Sequence, residues 1–273
     1  MIKRILVGLG GTPFTPGAIK HAVELAVELD AELTGVTLTH AAEKVDADAA
    51  LEVLYSSRQA ELQDVNHRIE KSVADFNEAC RVAGLSSYRV VRETGKTFSK
   101  LIEESLYHDL IVFGLKKVLH YDFHAGSPHD LLVEFMVQGV RPLIAVAQTY
   151  RRVSRVLIAY SGSMESAKSM KRFVDMRLFP AAAMKIVHFG DTSDAAQSLL
   201  QHAADYCAAH DFNVETETFD APIQQGLPLE IERWKADLVV IGISNKRVFL
   251  RKILGDTALQ IISESKVPLF VCQ

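Results

Sequence analysis

The chain combines short, continuously apolar segments with longer stretches in which apolar residues recur every three or four positions. Leu110–Gly114 is apolar throughout, which is typical of a strand that is buried on both faces of a sheet. Between Leu62 and Cys80 the apolar residues are spaced 3, 4, 4, 3 and 4 positions apart, which predicts one stripe of an amphipathic helix. Gly84 is the expected C-terminal cap of that helix.

Strands and helical stretches alternate along the whole chain, and this alternation predicts an α/β fold built from parallel β-α-β units. In the first half we expect strands at residues 2–8, 31–39, 88–91, 110–114 and 143–147, with helices at 15–30 and 97–107 and another that opens at Ser127. In the second half we expect strands near residues 153–160, 182–189, 213–219, 237–242 and 267–272. Ligands of such sheets bind beyond the carboxyl ends of the strands, so we look for a site there.

The second half of the chain repeats the first. Asp109–Gly114 reads D-L-I-V-F-G and returns as Asp237–Gly242, which reads D-L-V-V-I-G. Each copy is followed by a helix-like stretch and a short apolar run led by proline, at 142–146 and 268–271. An internal repeat of this length predicts two copies of one domain. We place these domains at residues 1–149 and 150–273.

Composition excludes several classes of protein. A net charge of −4 gives no general attraction to nucleic acid or anionic lipid, so neither is expected as a partner. The longest apolar runs are the length of strands, which is too short for a membrane-spanning helix. Cys80, Cys207 and Cys272 match no metal or redox spacing, and we interpret them as reduced thiols in the cytoplasm.

The repeated motifs resemble those of the universal stress protein family in its tandem, two-domain type. The resemblance covers nearly the whole chain and rests on the D-L-[I/V]-V-x-G strand, the Gly-Ser at 126–127 and the proline-led last strand. It implies two doubly wound parallel five-stranded sheets, each with strand order 3-2-1-4-5. It also implies that the halves pair through their last strands as an internal pseudo-dimer. A second copy of the chain and other proteins are the further partners that it suggests.

Many members of this family bind ATP through a loop of the form G-x2-G-x9-G-[S/T], with an aspartate after the first strand that holds the adenosine. The resemblance therefore implies ATP or another adenine nucleotide as the candidate cofactor. Glycines let backbone N–H groups approach phosphate oxygens. A serine or threonine that follows at a helix N-terminus adds a hydroxyl and the positive end of the helix dipole.

In the first half, the candidate nucleotide-binding residues are Gly114, Lys117, Gly126 and Ser127. Lys117 stands at the second glycine position, and the span to Gly126 is one residue short. Gly10 stands where the family has its aspartate. Both a weakened phosphate site and a ligand-free turn that caps a helix agree with this sequence.

In the second half, the candidate residues are Gly242, Asn245 and Gly255, and the span of the loop is preserved. Asp256 replaces the serine or threonine, and its carboxylate would repel a bound phosphate by about 1 kcal/mol if the pair is solvated. Asp256 is also an ordinary helix N-cap. Ser161 stands at the position of the family's aspartate.

Two other groups of residues have alternative interpretations. The segment Ser161–Ser166 resembles the S-G-G-x-D-S pyrophosphate loop of ATP pyrophosphatases, which would make the protein a nucleotide-hydrolysing or nucleotide-transferring enzyme. The same segment also has the composition of a turn that caps a helix. His120, His124 and His129 could bind a metal if they converge, but a solvated loop explains their clustering equally well.

The sequence contains no recognisable set of nucleophile, base and acid, and none of its serines lies in a G-x-S-x-G elbow. We therefore expect no enzymatic activity and no resident metal. The predicted function is that of a non-enzymatic stress-response factor in which adenine nucleotide binding is weakened or absent.

Overall fold

A computed structural model of the chain describes residues 2–39, 49–94, 97–114, 142–242 and 267–272. In the first half, the elements are β1 (Arg4–Gly8), α1 (Thr15–Leu29), β2 (Glu32–Thr39), α2 (Ala49–Val82), β3 (Tyr88–Thr94), α3 (Thr97–Ser105), β4 (Leu110–Gly114) and β5 (Leu143–Val146). In the second half, they are β6 (Arg155–Ala159), α4 (Met164–Asp175), β7 (Ala183–Phe189), α5 (Asp194–Ala209), β8 (Val214–Phe219), α6 (Ile223–Trp234), β9 (Leu238–Gly242) and β10 (Leu269–Cys272).

All ten of these strands form one sheet in the order β3-β2-β1-β4-β5-β10-β9-β6-β7-β8. Each half therefore has the predicted order 3-2-1-4-5, and the pairs of neighbours within each half are parallel. The two last strands, β5 and β10, pair antiparallel, with Phe270 opposite Ile144. The α/β fold predicted from the sequence is confirmed, and the two halves share one continuous sheet.

The predicted bounds differ from the observed ones mainly at β3. The sequence predicts a strand that ends at Val91, whereas β3 continues to Thr94 and pairs with β2 as far as Thr39. Its last residues are polar because β3 is an outer strand of the sheet, where the side chains are not enclosed on both sides. Apolar patterning alone therefore underestimates its length.

The apolar stripe that the sequence predicts for helix α2 is buried. Val65, Ile69, Val73, Phe76 and Cys80 are all less than 9% exposed and face the sheet from α2. The side chain of Leu62 lies outside the described residues. The helix ends where the sequence predicts, because Gly84 has a φ of 69° and its N–H donates to the carbonyl of Arg81.

The two faces of the sheet carry separate cores. Alternate strand residues such as Val7 and Val112 pack in a core with buried side chains of α1, α2, α4 and α5. Their neighbours, such as Leu6 and Ile111, pack in a second core with Leu101 of α3 and Leu227 of α6. This arrangement leaves the ends of the strands as the place where loops and helix termini meet.

Candidate ligand-binding site

The candidate site lies at the carboxyl ends of β1 and β4 in the first half and of β6 and β9 in the second. Gly114 and Gly242 are the last residues of β4 and β9, as predicted. The remaining predicted ligand-binding residues lie outside the described residues; they are Lys117, Gly126, Ser127, Asn245 and Gly255. Asp256 and the histidines at 120, 124 and 129 lie outside them as well.

The loop after β1 packs tightly against helix α2. Gly10, at the position of the family's aspartate, is buried. Gly11 has a φ of 64°, and a Cβ atom on it would lie 2.9 Å from the carbonyl carbon of Arg68 and 3.0 Å from the amide nitrogen of Ile69. Real Cβ atoms do not approach backbone this closely, so this loop and α2 are in contact only because residue 11 has no side chain.

The side chain of Leu9 fills the space beside the same loop. It is fully buried, and a Cβ on Gly35 of β2 would lie 2.6 Å from its Cδ1 atom. The ring of Phe76 on α2 lies 3.3 Å from that Cβ position. Leu9 and Phe76 therefore occupy the region where the ends of β1 and β2 meet α2.

The hydroxyl groups of this loop are used within it. The backbone N–H of Thr12 donates to Thr15 Oγ1 at 3.0 Å, and the N–H of Phe14 donates to Thr12 Oγ1 at 3.3 Å. Both threonines are buried. They shape the turn into α1, so their presence needs no ligand.

The equivalent loop in the second half contains three serines in mutual contact. Ser161 Oγ donates to Ser163 Oγ at 3.1 Å, and Ser163 Oγ lies 3.3 Å from Ser166 Oγ. Ser163 is the N-cap of α4, because its Oγ accepts from the N–H of Ser166 at 3.2 Å. Ser161 and Ser163 are exposed, whereas Ser166 is buried. These bonds are those of a turn that caps a helix, as the alternative interpretation predicts.

Gly242 brings the end of β9 against the start of α4. A Cβ on Gly242 would lie 2.4 Å from the carbonyl carbon of Glu165 and 2.5 Å from the amide nitrogen of Ser166. The glycine that the family motif places at a phosphate-binding loop therefore has a packing role here. Glu165 also puts a carboxylate in the first turn of α4, where it competes with any bound anion for the helix dipole.

Two polar residues near this loop were not singled out by the sequence. His188, at the end of β7, places Nδ1 3.0 Å from the carbonyl oxygen of Tyr160, and its Nε2 atom lies 3.9 Å from Asp191 Oδ2. The Ser193 hydroxyl and, to a smaller extent, the Ser193 backbone N–H donate hydrogen bonds to Asp191 that lower its pKa. The only signal in the sequence is the position of His188 at the carboxyl end of a predicted strand.

Within the described ranges, no group of three or more histidine, cysteine, aspartate or glutamate side chains is arranged to hold a metal ion. The helices of that same part of the chain also include none that is both long and apolar enough to cross a membrane.

The fold agrees with comparisons with known proteins. The sequence model of the universal stress protein family matches residues 1–128 and 174–273, and the chain belongs to this family. The universal stress protein Slr1230 of Synechocystis is 21% identical over an alignment of 285 residues, which covers 98% of each chain.

Two solved structures show the same architecture over nearly the whole chain. A universal stress protein from Archaeoglobus fulgidus has a TM-score of 0.67 at 17% identity and covers 99% of this chain and 96% of its own. A putative universal stress protein from Pseudomonas aeruginosa has a TM-score of 0.61 at 14% identity and covers 99% of this chain and 92% of its own. Both likenesses concern the fold, and they agree with the tandem type.

Proposed function

We propose that this tandem universal stress protein is a non-enzymatic stress-response factor in which the binding of ATP or another adenine nucleotide is weakened or absent. The observation that carries the proposal is the pair of residues at the adenosine-anchoring position. Gly10 and Ser161 replace the family's aspartate, and neither provides the charged acceptor that this aspartate would offer.

In the first half, packing supports the proposal. The loop that would hold the adenosine contacts α2 through Gly11, and Leu9 and Phe76 fill the adjoining space. A nucleotide in this position would have to displace α2 and expose buried apolar surface, at a free-energy cost of about 25 cal/mol for each Å². That cost opposes binding even if the phosphate loop at Gly126 and Ser127 is intact.

In the second half, hydrogen bonding supports the proposal. The hydroxyl of Ser161 already contacts Ser163 and Ser166, so its use by a ligand would break these hydrogen bonds. Glu165 adds negative charge in the first turn of α4, and in the sequence Asp256 replaces the serine or threonine of the motif. Both effects oppose a nucleoside triphosphate more strongly than an uncharged ligand.

The internal pairing of β5 with β10 uses the strands through which family members associate. In this proposal residues 1–149 and 150–273 are the two domains, and a second copy or another protein binds elsewhere on the surface. Burial raises the pKa of Cys80 to about 12 and that of Cys207 to about 11, which supports unreactive thiols. The location that we propose is the reducing cytoplasm.

Calorimetric titration with ATP, AMP and a cyclic nucleotide tests the proposal. We expect no heat of binding, or a dissociation constant weaker than about 1 mM, which corresponds to about −4 kcal/mol. Thermal unfolding in the presence of each nucleotide provides an independent measure, because a ligand that binds the folded chain raises its melting temperature. Micromolar binding by the wild-type chain would contradict the proposal.

A second candidate function is nucleotide hydrolysis or transfer by the Ser161–Ser166 loop. It is favoured by the contact of three hydroxyl groups at the N-terminus of α4, where Ser161 and Ser163 are exposed. Incubation with ATP followed by phosphate detection distinguishes the two functions. Turnover that is lost in both Ser163→Ala and Ser166→Ala, but kept in the matched variant Ser154→Ala at the other end of β6, would establish the enzyme and exclude the first proposal.

A further inference from the structure

A cluster of four charged side chains joins α6 to the outer strands of the second half. Lys185 Nζ on β7 donates to Glu230 Oε1 on α6 at 2.8 Å and to Glu217 Oε2 on β8 at 2.5 Å. Arg233 on α6 donates from Nε to Glu230 Oε2 at 2.5 Å and from Nη2 to Glu217. Two cations and two carboxylates thus neutralise each other.

The centre of this cluster is removed from water. The side chains of Lys185 and Glu230 are 7% and 2% exposed, whereas those of Glu217 and Arg233 are 35% and 57% exposed. A charge at the buried positions is tolerated only while its partner is charged and hydrogen-bonded to it. Removal of one partner leaves an uncompensated buried ion, which is strongly destabilising.

Helix α6 also packs through apolar side chains, because Ile223, Ile231 and Trp234 are partly buried against the second core. Of its residues, all of which are described, Leu227 and Glu230 are the ones that are buried. Pro228 lies inside the helix, where it has no N–H to donate to the preceding turn. The attachment of α6 therefore depends on both these apolar contacts and the charged cluster, and loss of charge pairing would add the cost of a buried unpaired ion.

The cluster is specific to the second half. Lys185 is opposite Leu157 in the sheet, and the corresponding residue opposite Leu6 in the first half is Thr34. Thr34 carries no charge and accepts from Arg89 at 3.4 Å. The repeated scaffold thus forms without this cluster, so the charges serve a purpose other than specifying the fold.

We propose that α6 is an acid-released element. Loss of the negative charge around Lys185 in acid leaves its ammonium buried without a counter-ion, and α6 then detaches from β7 and β8 while the rest of the sheet remains folded. Release uncovers the outer strand β8 and the apolar side of α6, which carries Leu227.

The charged groups that face this cluster from the surrounding described elements agree with release in acid. Glu215 lies on the same side of β8 as Glu217 but is exposed. Arg155 of β6 donates to the carbonyl of Trp234 at the end of α6, and the Arg233 guanidinium lies 5.4 Å from the centre of the Phe219 ring. In acid these two arginines add to the positive charge around Lys185.

The titration of Glu217 sets the pH range. Desolvation alone would raise its pKa, but hydrogen bonds from Lys185 and then Arg233 outweigh it, so the pKa of this carboxyl is lowered from its ordinary 4.5. A carboxyl whose pKa is lower in the folded state stabilises that state above its unfolded pKa. This contribution is lost as the pH falls below about 4.5.

Hydrogen exchange measured by mass spectrometry on the full chain tests the proposal. Between about pH 7 and pH 3, after correction for the intrinsic exchange rate, peptides that cover Ile223–Trp234 should lose protection while those of β6 and β9 keep it. Glu230→Gln should accelerate exchange in the same peptides about a hundredfold at neutral pH. Glu232→Gln, an exposed glutamate on the same helix, is the matched control and should behave as wild type.

A second variant keeps the proposal testable if Glu230→Gln does not fold. The double variant Lys185→Met with Glu230→Leu replaces the buried charges with apolar groups of similar size, so α6 should stay protected at both pH values. The proposal is overturned if α6 in the wild-type chain loses protection only together with β6 and β9. It is also overturned if the double variant releases α6 at the same pH as the wild type.

Discussion

Gly11 and Arg68 lie in backbone contact, 57 positions apart in the sequence. A Cβ at Gly11 would lie 2.9 Å from the carbonyl carbon of Arg68, and the φ of 64° at Gly11 is itself unfavourable for any residue with a side chain. The contact joins the end of the first strand to the middle of α2. It explains why residue 11 is a glycine.

Substitution of Gly11 by alanine should therefore destabilise the chain for two separate reasons. We expect a loss of about 2 to 3 kcal/mol in the free energy of unfolding by urea, from backbone strain and from displacement of α2. Gly84→Ala is the matched control, because Gly84 has a similar φ of 69° but no atom within 4 Å of its Cβ position. It should lose only about 1 kcal/mol. Equal losses for the two variants would argue against close packing between Gly11 and α2.

The repeated aspartates Asp109 and Asp237 join the starts of neighbouring strands. Asp237 Oδ2 accepts hydrogen bonds from the backbone N–H groups of Ser154 at 3.0 Å and Arg155 at 3.1 Å. In the first half, Asp109 Oδ2 accepts equivalent bonds from the backbone N–H groups of Lys3 and Arg4. Asp237→Ala and Asp109→Ala should each lower the free energy of unfolding by about 1 to 3 kcal/mol.

The asparagine variants at these two positions keep an acceptor oxygen and should lose less. Asp220→Ala, at an exposed position, is the control. It should change the free energy of unfolding by less than about 0.5 kcal/mol. A neutral effect of Asp237→Ala would mean that the repeated aspartate is not structural.

His21 should make the stability of the chain depend on pH in the mildly acidic range. Desolvation by burial lowers the pKa of His21 from 6.5 to about 4, and the charge of Lys20 makes a smaller contribution in the same direction. The ring is 2% exposed and packs 4.7 Å from the ring of Tyr150. Because the folded chain binds a proton less readily than the unfolded chain, stability is full above pH 6.5 and falls as the pH drops from 6.5 to about 4.

The decrease should reach about 3 kcal/mol, measured by urea unfolding across this range. His21→Gln should flatten the curve between these pH values. His67→Gln, on an exposed part of α2, should leave its shape unchanged. A wild-type curve that is flat between pH 6.5 and 4 would refute the neutral, buried state of His21.

The cysteines should differ in reactivity. Burial raises the pKa of Cys80 and Cys207 and both side chains are enclosed, whereas Cys272 is partly exposed. We expect iodoacetamide at about pH 8 to label Cys272 well before the other two in the folded chain. Peptide mapping measures the order, and labelling in urea is the control in which all three should react at similar rates. Early labelling of Cys80 would show that α2 opens readily.

Much of the fold could be predicted because its signals are local. The D-L-[I/V]-V-x-G motif and the stripe from Val65 to Cys80 identify a buried strand and a helix from neighbouring positions alone. The internal repeat then predicts the same order of elements twice. The outer strand β3 was less well predicted, because its polar end is stabilised by pairing with β2 instead of by apolar burial.

Only part of the candidate site lies within the described residues and can be compared with the prediction. Gly114 and Gly242 lie at the strand ends where the motif places them, and Ser163 caps a helix. The motif does not reveal that Gly242 contacts α4. A glycine that approaches a phosphate and a glycine that approaches a helix look the same in one sequence, since both meet the same steric requirement.

The sequence by itself determined that the chain folds as two similar α/β halves with their strands in the same order, because periodicity and repetition are properties of neighbouring residues. Only the tertiary structure decided that the loop after β1 is packed against α2 through Gly11 and that Lys185 and Glu230 are buried together. Gly11 and Arg68 are 57 positions apart in the sequence, and Lys185 and Glu230 are 45 positions apart. Whether such distant residues meet depends on how whole helices and strands pack. No local pattern of apolar and polar residues contains that information.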